Sequence, residues 1–421
     1  MKAKAKKLFN KIGPGFITGA SDDDPSGIAT YSQTGAIFGY GQLWLALFSL
    51  PFMIVIQKMC GRIGLVTGKG LSGVIRIHYP KPVLYFAVCL LLLANTFNIG
   101  ADLGAMAASA QMLTGLPYLF WLVFMTLLIL GLEIFVAYKS YARILKYLTF
   151  SLFAYVITAF VVEQDWKQIL VNTIWPQIQF TEEYILNVVA ALGTTISPYL
   201  FFWQASVEVE EELVAHKLEE MGLGIPLITQ QDIRDMSIDT VAGMFFSQVI
   251  MFFIIITTAS TLHVHGITNI DTAPQAAEAL RPLAGDLAYL LFAVGIIGTG
   301  LLAVPILAGS ASYAVAETMG WEAGLSKKFH QAQGFYGVII LSTLIGMITN
   351  FMGIDPIKAL YYSAAFNGLA APPLMVLIVM IASNSDIMGP YINKKITTFL
   401  GWIVILAMAF AGVTLLWNMF K

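Results

Sequence analysis

The sequence predicts an all-α integral membrane protein, a single domain over residues 1–421 that crosses the bilayer about eleven times. Hydrophobic residues make up 58% of the chain, charged residues only 11%, and the mean hydropathy is +0.77. A soluble domain carries charges on about a quarter of its residues, so this composition cannot build a water-soluble surface. The apolar residues occur in runs of roughly 20, the length that a helix needs to cross about 30 Å of hydrocarbon. They do not alternate with polar residues as the strands of a membrane barrel do.

Hydropathy places the predicted spans in chain order. They lie at about 13–40, 42–61, 83–112, 116–137, 144–162, 184–210, 241–262, 287–312, 335–351, 357–381 and 397–420. With the N-terminus in the cytoplasm, 19 of the 23 Lys and Arg residues fall in cytoplasmic segments; only Lys167, Arg281, Lys358 and Lys421 fall outside. Such an excess of basic residues marks cytoplasmic loops. We therefore expect a multi-pass protein of the plasma (inner) membrane with a cytoplasmic N-terminus. The polar stretch 208–237 is expected to be a cytoplasmic connector with a short amphipathic helix.

Two of the predicted spans are interrupted at their centres by proline. The first contains Asp24-Pro25 and the sixth contains Ser197-Pro198. Proline lacks a backbone donor and clashes with the preceding helical turn, and unwound backbone at membrane depth is tolerated only inside protein or beside a wet cavity. Spans one and six are five apart, as expected of two inverted repeats whose broken helices meet at the bilayer midplane. We predict repeats at about 13–162 and 184–381, with an additional helix at 397–420.

The first break carries three successive acids, Asp22, Asp23 and Asp24. A carboxylate at the bilayer centre costs several kcal/mol unless it is paired or coordinates an ion, so a cation is expected there. Three consecutive residues point in different directions around a helix and cannot all face one ion. We assign the ligand role to Asp24 and expect Asp22 and Asp23 to face the vestibule, where they would concentrate cations electrostatically.

The motifs around these breaks resemble the Nramp family of divalent-metal transporters. The resemblance is carried by Gly-Pro-Gly-Phe at 13–16, Asp-Pro-Ser-Gly at 24–27, Phe-Gly-Tyr at 38–40 and Gly-Leu-Val-Thr-Gly at 64–68. It covers most of the chain, and it implies eleven helices arranged as the leucine-transporter type of inverted 5+5 repeat. Family members read Asp-Pro-Gly-Asn in the first break and Ala-x-x-Met-Pro-His in the sixth helix. There the Asp, Asn and Met side chains, with the Ala carbonyl, bind manganese or iron.

Matched residue by residue, this chain keeps the family's acid and its break in Asp24 and Pro25. Gly27 stands at the Asn position, Thr194 at the Ala position, where a carbonyl could still serve, and Ser197 at the Met position. These departures resemble the Nramp-related magnesium transporter branch. Together with a polar residue of the tenth span, the candidate metal-binding residues are Asp24, Gly27, Thr194, Ser197 and Asn367.

The donor chemistry favours magnesium independently of the resemblance. A thioether is soft and suits transition metals, whereas carboxylate, hydroxyl and carbonyl oxygens suit magnesium, calcium and manganese. Serine at position 197 removes the only soft ligand and opens space. Magnesium retains several waters and is held by one or two carboxylates. We therefore expect uptake of partly hydrated Mg²⁺, with Mn²⁺ as a second substrate; the alternative interpretation of Ser197 is that a small residue eases helix packing.

Proton coupling is expected to be absent. The coupled branch of the family carries acids in the third helix and a His in the sixth, whereas Asn95, Ala105 and Tyr199 stand at those positions here. Amides do not titrate near working pH, so the relay is largely missing; Asp102 is the one matching acid and could still shuttle a proton. The alternatives are a proton-coupled Mn²⁺/Fe²⁺ importer of Nramp type and a sodium-coupled solute symporter. A manganese flux accompanied by interior acidification would favour the first alternative.

The remaining predictions concern secondary positions and partners. In the tenth span, Ser363 and Asn367 either line the pocket or form interhelical hydrogen bonds, and Glu133 is expected to be solvated near a cytoplasmic helix end. No paired acid–base set, no nucleophile with its base and no Gly-rich phosphate loop is evident, so an enzyme is not expected. We expect no cofactor beyond Mg²⁺ or Mn²⁺ as transported substrate. The predicted partners are this cation and the lipid bilayer, with no nucleic acid and no obligate protein partner.

Overall fold

The computed structural model describes residues 13–136, 149–222, 224 and 226–419, and these residues contain helices and no strand. We number the helices of eight residues or more. They are α1 Pro14–Asp22, α2 Pro25–Phe38, α3 Trp44–Thr67, α4 Leu71–His78, α5 Lys81–Thr114, α6 Tyr118–Phe135, α7 Phe153–Val161, α8 Trp166–Ile174, α9 Glu182–Thr195, α10 Pro198–Val214, α11 Gln230–Thr261, α12 Ala288–Met319, α13 Gln333–Thr349, α14 Pro356–Ala382 and α15 Lys395–Met419. Short helical turns join several of them.

Nine segments of the described chain are long and apolar enough to cross a membrane. They are α3, α5, α6, α9 with α10, α11, α12 with the short turns before it, α13, α14 and α15. The broken pair α1 and α2 corresponds to the first predicted span, although each half alone is short. The fifth predicted span, 144–162, begins outside the described residues, and its described end is α7. The all-helical membrane architecture is therefore confirmed.

The first break occurs where the sequence predicts it. Helix α1 ends at Asp22, Asp23 leaves the helical region with φ −82° and ψ 50°, and Asp24 is extended with φ −68° and ψ 173°. Pro25 then occupies the first position of α2, where a missing amide hydrogen costs nothing because the first four amides of a helix have no intrahelical acceptor.

The second break has the same construction. Helix α9 ends at Thr195, Ile196 and Ser197 are non-helical, and Pro198 begins α10. The break lies directly on α14, because a Cβ atom at Gly193 would overlap the backbone of Ala364 and Gly368. Glycine at 193 therefore allows the last turn of α9, directly before the break, to contact the tenth span.

The start of α1 is fixed to α11 by a carboxylate. Asp239 accepts hydrogen bonds from the backbone amides of Gly13, Gly15 and Phe16 at 3.0, 2.7 and 3.2 Å. These are amides that the first turn of a helix leaves unsatisfied, and a negative charge at this end is favourable. The first half of the broken span is thereby attached to α11.

One predicted element is absent. The stretch 208–237 was expected to hold its own amphipathic helix, but α10 continues to Val214 and α11 already begins at Gln230. Thr229 and Asp232 form a capping box at the start of α11, which accounts for the early helix start. The helical residues of this stretch therefore belong to the extensions of two membrane helices, and the connector between them forms no helix in its described residues.

Candidate functional site

Asp24 lies at the centre of the first break with its side chain 1% exposed. As the N-cap of α2, its Oδ1 accepts from the Gly27 amide at 2.7 Å and from the Ser26 hydroxyl at 2.6 Å. Its Oδ2 accepts from the Asn98 amide nitrogen of α5 at 3.0 Å. Within the described parts of the chain, every donor to this carboxylate is neutral. The negative charge is therefore stabilised by dipoles and by the N-terminus of α2 rather than by a cationic side chain.

The two breaks are joined through hydroxyl groups. The Ser26 Oγ and Thr194 Oγ1 atoms are 3.1 Å apart, which links the Asp24 carboxylate to the end of α9. Ser197 is the N-cap residue of α10, but its hydroxyl makes no cap bond there. It lies instead within hydrogen-bond distance of the carbonyl oxygens of Gly193 at 2.8 Å and Thr194 at 2.6 Å. Because one hydroxyl carries one proton, Ser197 can donate to one of these two carbonyls at a time.

Helices α5 and α14 complete the network. The Ser363 hydroxyl lies 2.8 Å from Asn98 Oδ1, and Asn98 in turn donates to Asp24. Asn367 lies one turn further along α14, is 1% exposed, and its amide nitrogen has no hydrogen-bond partner. Ser363 therefore lies within hydrogen-bond distance both of Asn98 on another helix and of the Leu360 carbonyl of its own helix, which is 2.8 Å away. Asn367 remains a buried polar group without a partner for its nitrogen, which is unusual because such groups are costly.

The candidate residues are nearly inaccessible and rich in oxygen. Asp24, Thr194, Ser197, Ser363 and Asn367 are each 1% exposed. Within the part of the chain that the structure describes, no three His, Cys, Asp or Glu side chains are grouped so that they could hold a metal ion. An ion at Asp24 would therefore be bound by one carboxylate together with hydroxyl, amide and carbonyl oxygens. This is a hard donor set, suited to Mg²⁺ or Mn²⁺.

Gly27 contributes differently from the other candidates. Its backbone amide donates to Asp24, which orients the carboxylate but supplies no ligand oxygen. A Cβ atom at this position would lie 3.4 Å from Thr194 Oγ1. The glycine therefore leaves space between the two breaks.

Asn98 was not among the predicted ligands, although it orients both Asp24 and Ser363. The signal available in the sequence was the polar series Asn95, Asn98 and Asp102 in an otherwise apolar span. Asp102 is fully buried, and its carboxylate has the Ser26 backbone amide as a polar neighbour. It is close enough to Asp24 for the two acids to interact electrostatically.

Two expectations about acidic residues are wrong in this structure. Asp22 and Asp23 do not face a vestibule, because both are 0% exposed and lie against Ser247 of α11. Glu133 is not solvated, because it is only 5% exposed. In both cases the sequence shows the acid and its span but not the neighbouring helix that covers it. Tyr199 was noted only as a replacement for His, and its hydroxyl donates to the Ser21 carbonyl at 2.9 Å.

The fold and these two breaks define a membrane transporter of the leucine-transporter type. The structure is similar to that of a manganese transporter of Eremococcus coleocola in complex with an aromatic bis-isothiourea substituted compound, with a TM-score of 0.76, 17% identity, and coverage of 98% of this chain and 87% of the other. It is also similar to Mhp1, a nucleobase-cation-symport-1 family transporter in a closed conformation with bromovinylhydantoin bound, with a TM-score of 0.62, 13% identity, and coverage of 96% and 89%. At these identities the likeness establishes the fold, and the predicted fold class is confirmed.

The family follows from the sequence comparisons. The model of the Nramp family, described as natural resistance-associated macrophage protein-like, matches residues 15–418. The chain therefore belongs to the Nramp family. It is also 25% identical over 430 residues to the divalent metal cation transporter MntH of Deinococcus radiodurans, covering 98% of this chain and 91% of that protein.

Proposed function

We propose that this protein transports a divalent metal cation across the plasma membrane, and that its main substrate is partly hydrated Mg²⁺, with Mn²⁺ as a second substrate. The observation that carries the proposal is the Asp24 carboxylate, buried between the two broken helices with only neutral hydrogen-bond donors. A buried charge without a cationic partner is costly. A divalent cation would compensate that charge, and membership of the Nramp family supports metal transport as the activity.

The donor set supports magnesium and the Nramp-related magnesium transporter branch. No sulfur atom is present in the candidate metal-binding residues, which are Asp24, Gly27, Thr194, Ser197 and Asn367. The Ser197 hydroxyl lies 2.6 Å from the Thr194 carbonyl oxygen. Because this oxygen is within hydrogen-bond distance of the hydroxyl, it is a poor ligand for a transition-metal ion that has lost its water shell. Small side chains around one carboxylate suit an ion that keeps part of its water shell.

The proposed transport is uncoupled from protons and driven by the ion gradient and membrane potential. Two positive charges moving through 100 mV gain about 4.6 kcal/mol, so no second ion is needed for uptake. Positions 95, 105 and 199 carry Asn, Ala and Tyr, none of which titrates near neutral pH. The protein is further proposed to have a cytoplasmic N-terminus and to need neither a resident cofactor nor an obligate protein partner.

The second candidate function is a proton-coupled Mn²⁺/Fe²⁺ importer. One observation favours it: Asp102 is fully buried and close enough to Asp24 to interact with it electrostatically, so it could carry a proton. The sodium-coupled solute symporter shares the fold only. A helix break that binds an anionic substrate presents backbone donors to it, whereas the Gly27 amide is already bonded to Asp24.

The test is ion flux into liposomes that contain the purified full-length protein. Mg²⁺, Mn²⁺ and Ca²⁺ uptake would be compared at a fixed membrane potential while internal pH is recorded. We expect Mg²⁺ and Mn²⁺ uptake without internal acidification, and loss of all uptake in Asp24→Ala. Manganese uptake accompanied by acidification, with no magnesium uptake, would instead establish the second candidate. Uptake that persists in Asp24→Ala would remove this residue from the transport site.

A further inference from the structure

Asp22 and Asp23, at the end of α1, form a second buried acidic pair. This pair packs against α11 rather than against α5. Both side chains are 0% exposed. The Ser247 hydroxyl oxygen lies 2.6 Å from Asp22 Oδ2 and 3.3 Å from Asp23 Oδ1. One hydroxyl carries one proton and can donate to only one of these carboxylates. Asp22 Oδ1 and Asp23 Oδ2 have no hydrogen-bond partner among the residues that the structure describes. Ionised carboxylates that are both buried and unpartnered are costly, and a bound cation or a proton removes that cost.

The helix geometry increases this need. Asp22 is the last residue of α1 and Asp23 is its C-cap. The C-terminus of a helix carries about half a negative charge from its unsatisfied carbonyl groups. Two carboxylates are therefore placed at the unfavourable end of a helix. Asp24, in contrast, lies at the N-terminus of α2, where its charge is favourable.

One divalent cation at Asp24 does not balance the charge of this region. Asp22, Asp23, Asp24 and Asp102 are all buried within the break or beside it. No Lys, Arg or His side chain among the described residues forms a hydrogen bond or ion pair with any of them. Four ionised carboxylates are electrically matched by two divalent cations, whereas with a single ion two of these acids must either take up protons or keep their negative charge in a region of low dielectric constant.

The pair does not share protein partners with the Asp24 network. Asp24 receives its hydrogen bonds from Ser26 and Gly27 of α2 and Asn98 of α5. Asp22 and Asp23 are bonded by Ser247 of α11. An ion held at this pair would therefore leave the hydrogen bonds that orient Asp24 intact.

We propose that Asp22, Asp23 and Ser247 form a second cation site that holds a divalent metal ion at the end of α1, separate from the Asp24 site. Two carboxylates and a hydroxyl are hard oxygen ligands, which suit Mg²⁺ and Mn²⁺ and leave positions for water. That the ion at the Asp24 site is the transported species rests on the proposed function; the existence of this second site does not. An ion here neutralises the end of α1 and fixes it to α11.

The experiment measures Mn²⁺ bound to the purified full-length protein at saturation by equilibrium dialysis and metal analysis. We expect two Mn²⁺ ions per wild-type chain and one in the Asp22→Asn, Asp23→Asn double variant. Asp24→Asn should also retain one ion, and combining all three substitutions should abolish binding. A wild-type stoichiometry of one, or a double variant that still binds two ions, would overturn the proposal.

A milder substitution keeps the test decisive if the double variant does not fold. Ser247→Ala retains both carboxylates. It should raise the dissociation constant for Mn²⁺ at one of the two sites by roughly fivefold, since a neutral oxygen partner contributes about 1 kcal/mol. Ser260→Ala is the matched control, because this hydroxyl lies on the same helix and its partners are the helix's own carbonyls and the Gln164 side-chain amide, not a carboxylate. Unchanged affinities in Ser247→Ala refute the second site. Retained transport in Asp24→Ala would contradict the proposed function but not the second site, because the number of bound Mn²⁺ ions is measured without any transport assay.

Discussion

Replacing Ser197 by Met is the sharpest test of the proposed ion preference. The Ser197 hydroxyl lies 2.8 Å from the Gly193 carbonyl and 2.6 Å from the Thr194 carbonyl. The substitution removes this hydroxyl and leaves two buried carbonyls without it, which we expect to lower the free energy of unfolding by about 1 kcal/mol. It also frees the Thr194 carbonyl for a metal and adds a soft thioether. Both changes favour a bare transition metal.

The expected result is a reversal of selectivity. A thioether bound directly to Mn²⁺ should lower the KM for Mn²⁺ uptake about tenfold, equivalent to about 1.4 kcal/mol. The larger side chain also occupies space that the waters of a hydrated Mg²⁺ need, so Mg²⁺ uptake should fall by roughly tenfold, about 1.4 kcal/mol. The assay is concentration-dependent uptake of each ion into liposomes, with thermal unfolding measured on the same preparations.

Ser197→Ala is the matched control for this experiment. It removes the same hydroxyl and should cost the same stability of about 1 kcal/mol, but it adds neither sulfur nor volume. We expect it to keep Mg²⁺ uptake and to gain no Mn²⁺ affinity. If Ser197→Met lowered the KM for Mn²⁺ uptake while Mg²⁺ uptake stayed unchanged, the argument from pocket size would be refuted.

Three further predictions address the framework of the site. Asn98→Ala removes the 3.0 Å bond to Asp24 Oδ2 and should raise the KM for Mg²⁺ about fivefold, the equivalent of about 1 kcal/mol; an unchanged KM would show that Asn98 does not orient the acid. Gly193→Ala places a Cβ atom on the α14 backbone and should destabilise the protein by about 1–3 kcal/mol in thermal unfolding, whereas a wild-type melting temperature would contradict the close approach. Asp239→Asn replaces one of the two oxygens that accept the α1 amides and should lower stability by about 1 kcal/mol, with equal melting curves as the refuting outcome.

The sequence predicted both helix breaks because their causes are local. Asp24-Pro25 and Ser197-Pro198 each combine an N-cap residue with a proline that can begin a helix but cannot continue one. The structure places both prolines at the first position of a helix. The all-helical architecture followed equally from composition and run length, which need no knowledge of tertiary contacts.

The contacts around the site were not predictable in the same way. Asn98 reaches Asp24 across 74 positions of sequence, and Ser247 reaches Asp22 across 225. Nothing local distinguishes a serine that bonds a distant carboxylate from one that bonds its own helix. The sequence therefore predicts that Asp22 and Asp23 face water, whereas α11 covers them in the structure.

The two helix ends that meet at the first break have opposite effects on a negative charge. Asp24 belongs to the N-terminus of α2, where the Gly27 amide and the helix dipole already offset part of its charge. Such an acid attracts a cation but binds it less tightly than an uncompensated carboxylate would, as release of a transported ion requires. Asp22 and Asp23 lie at the C-terminus of α1, where the dipole adds to their charge. An ion there would be held more firmly, so the physical expectation is a weak site for transport beside a stronger one that stabilises the junction with α11.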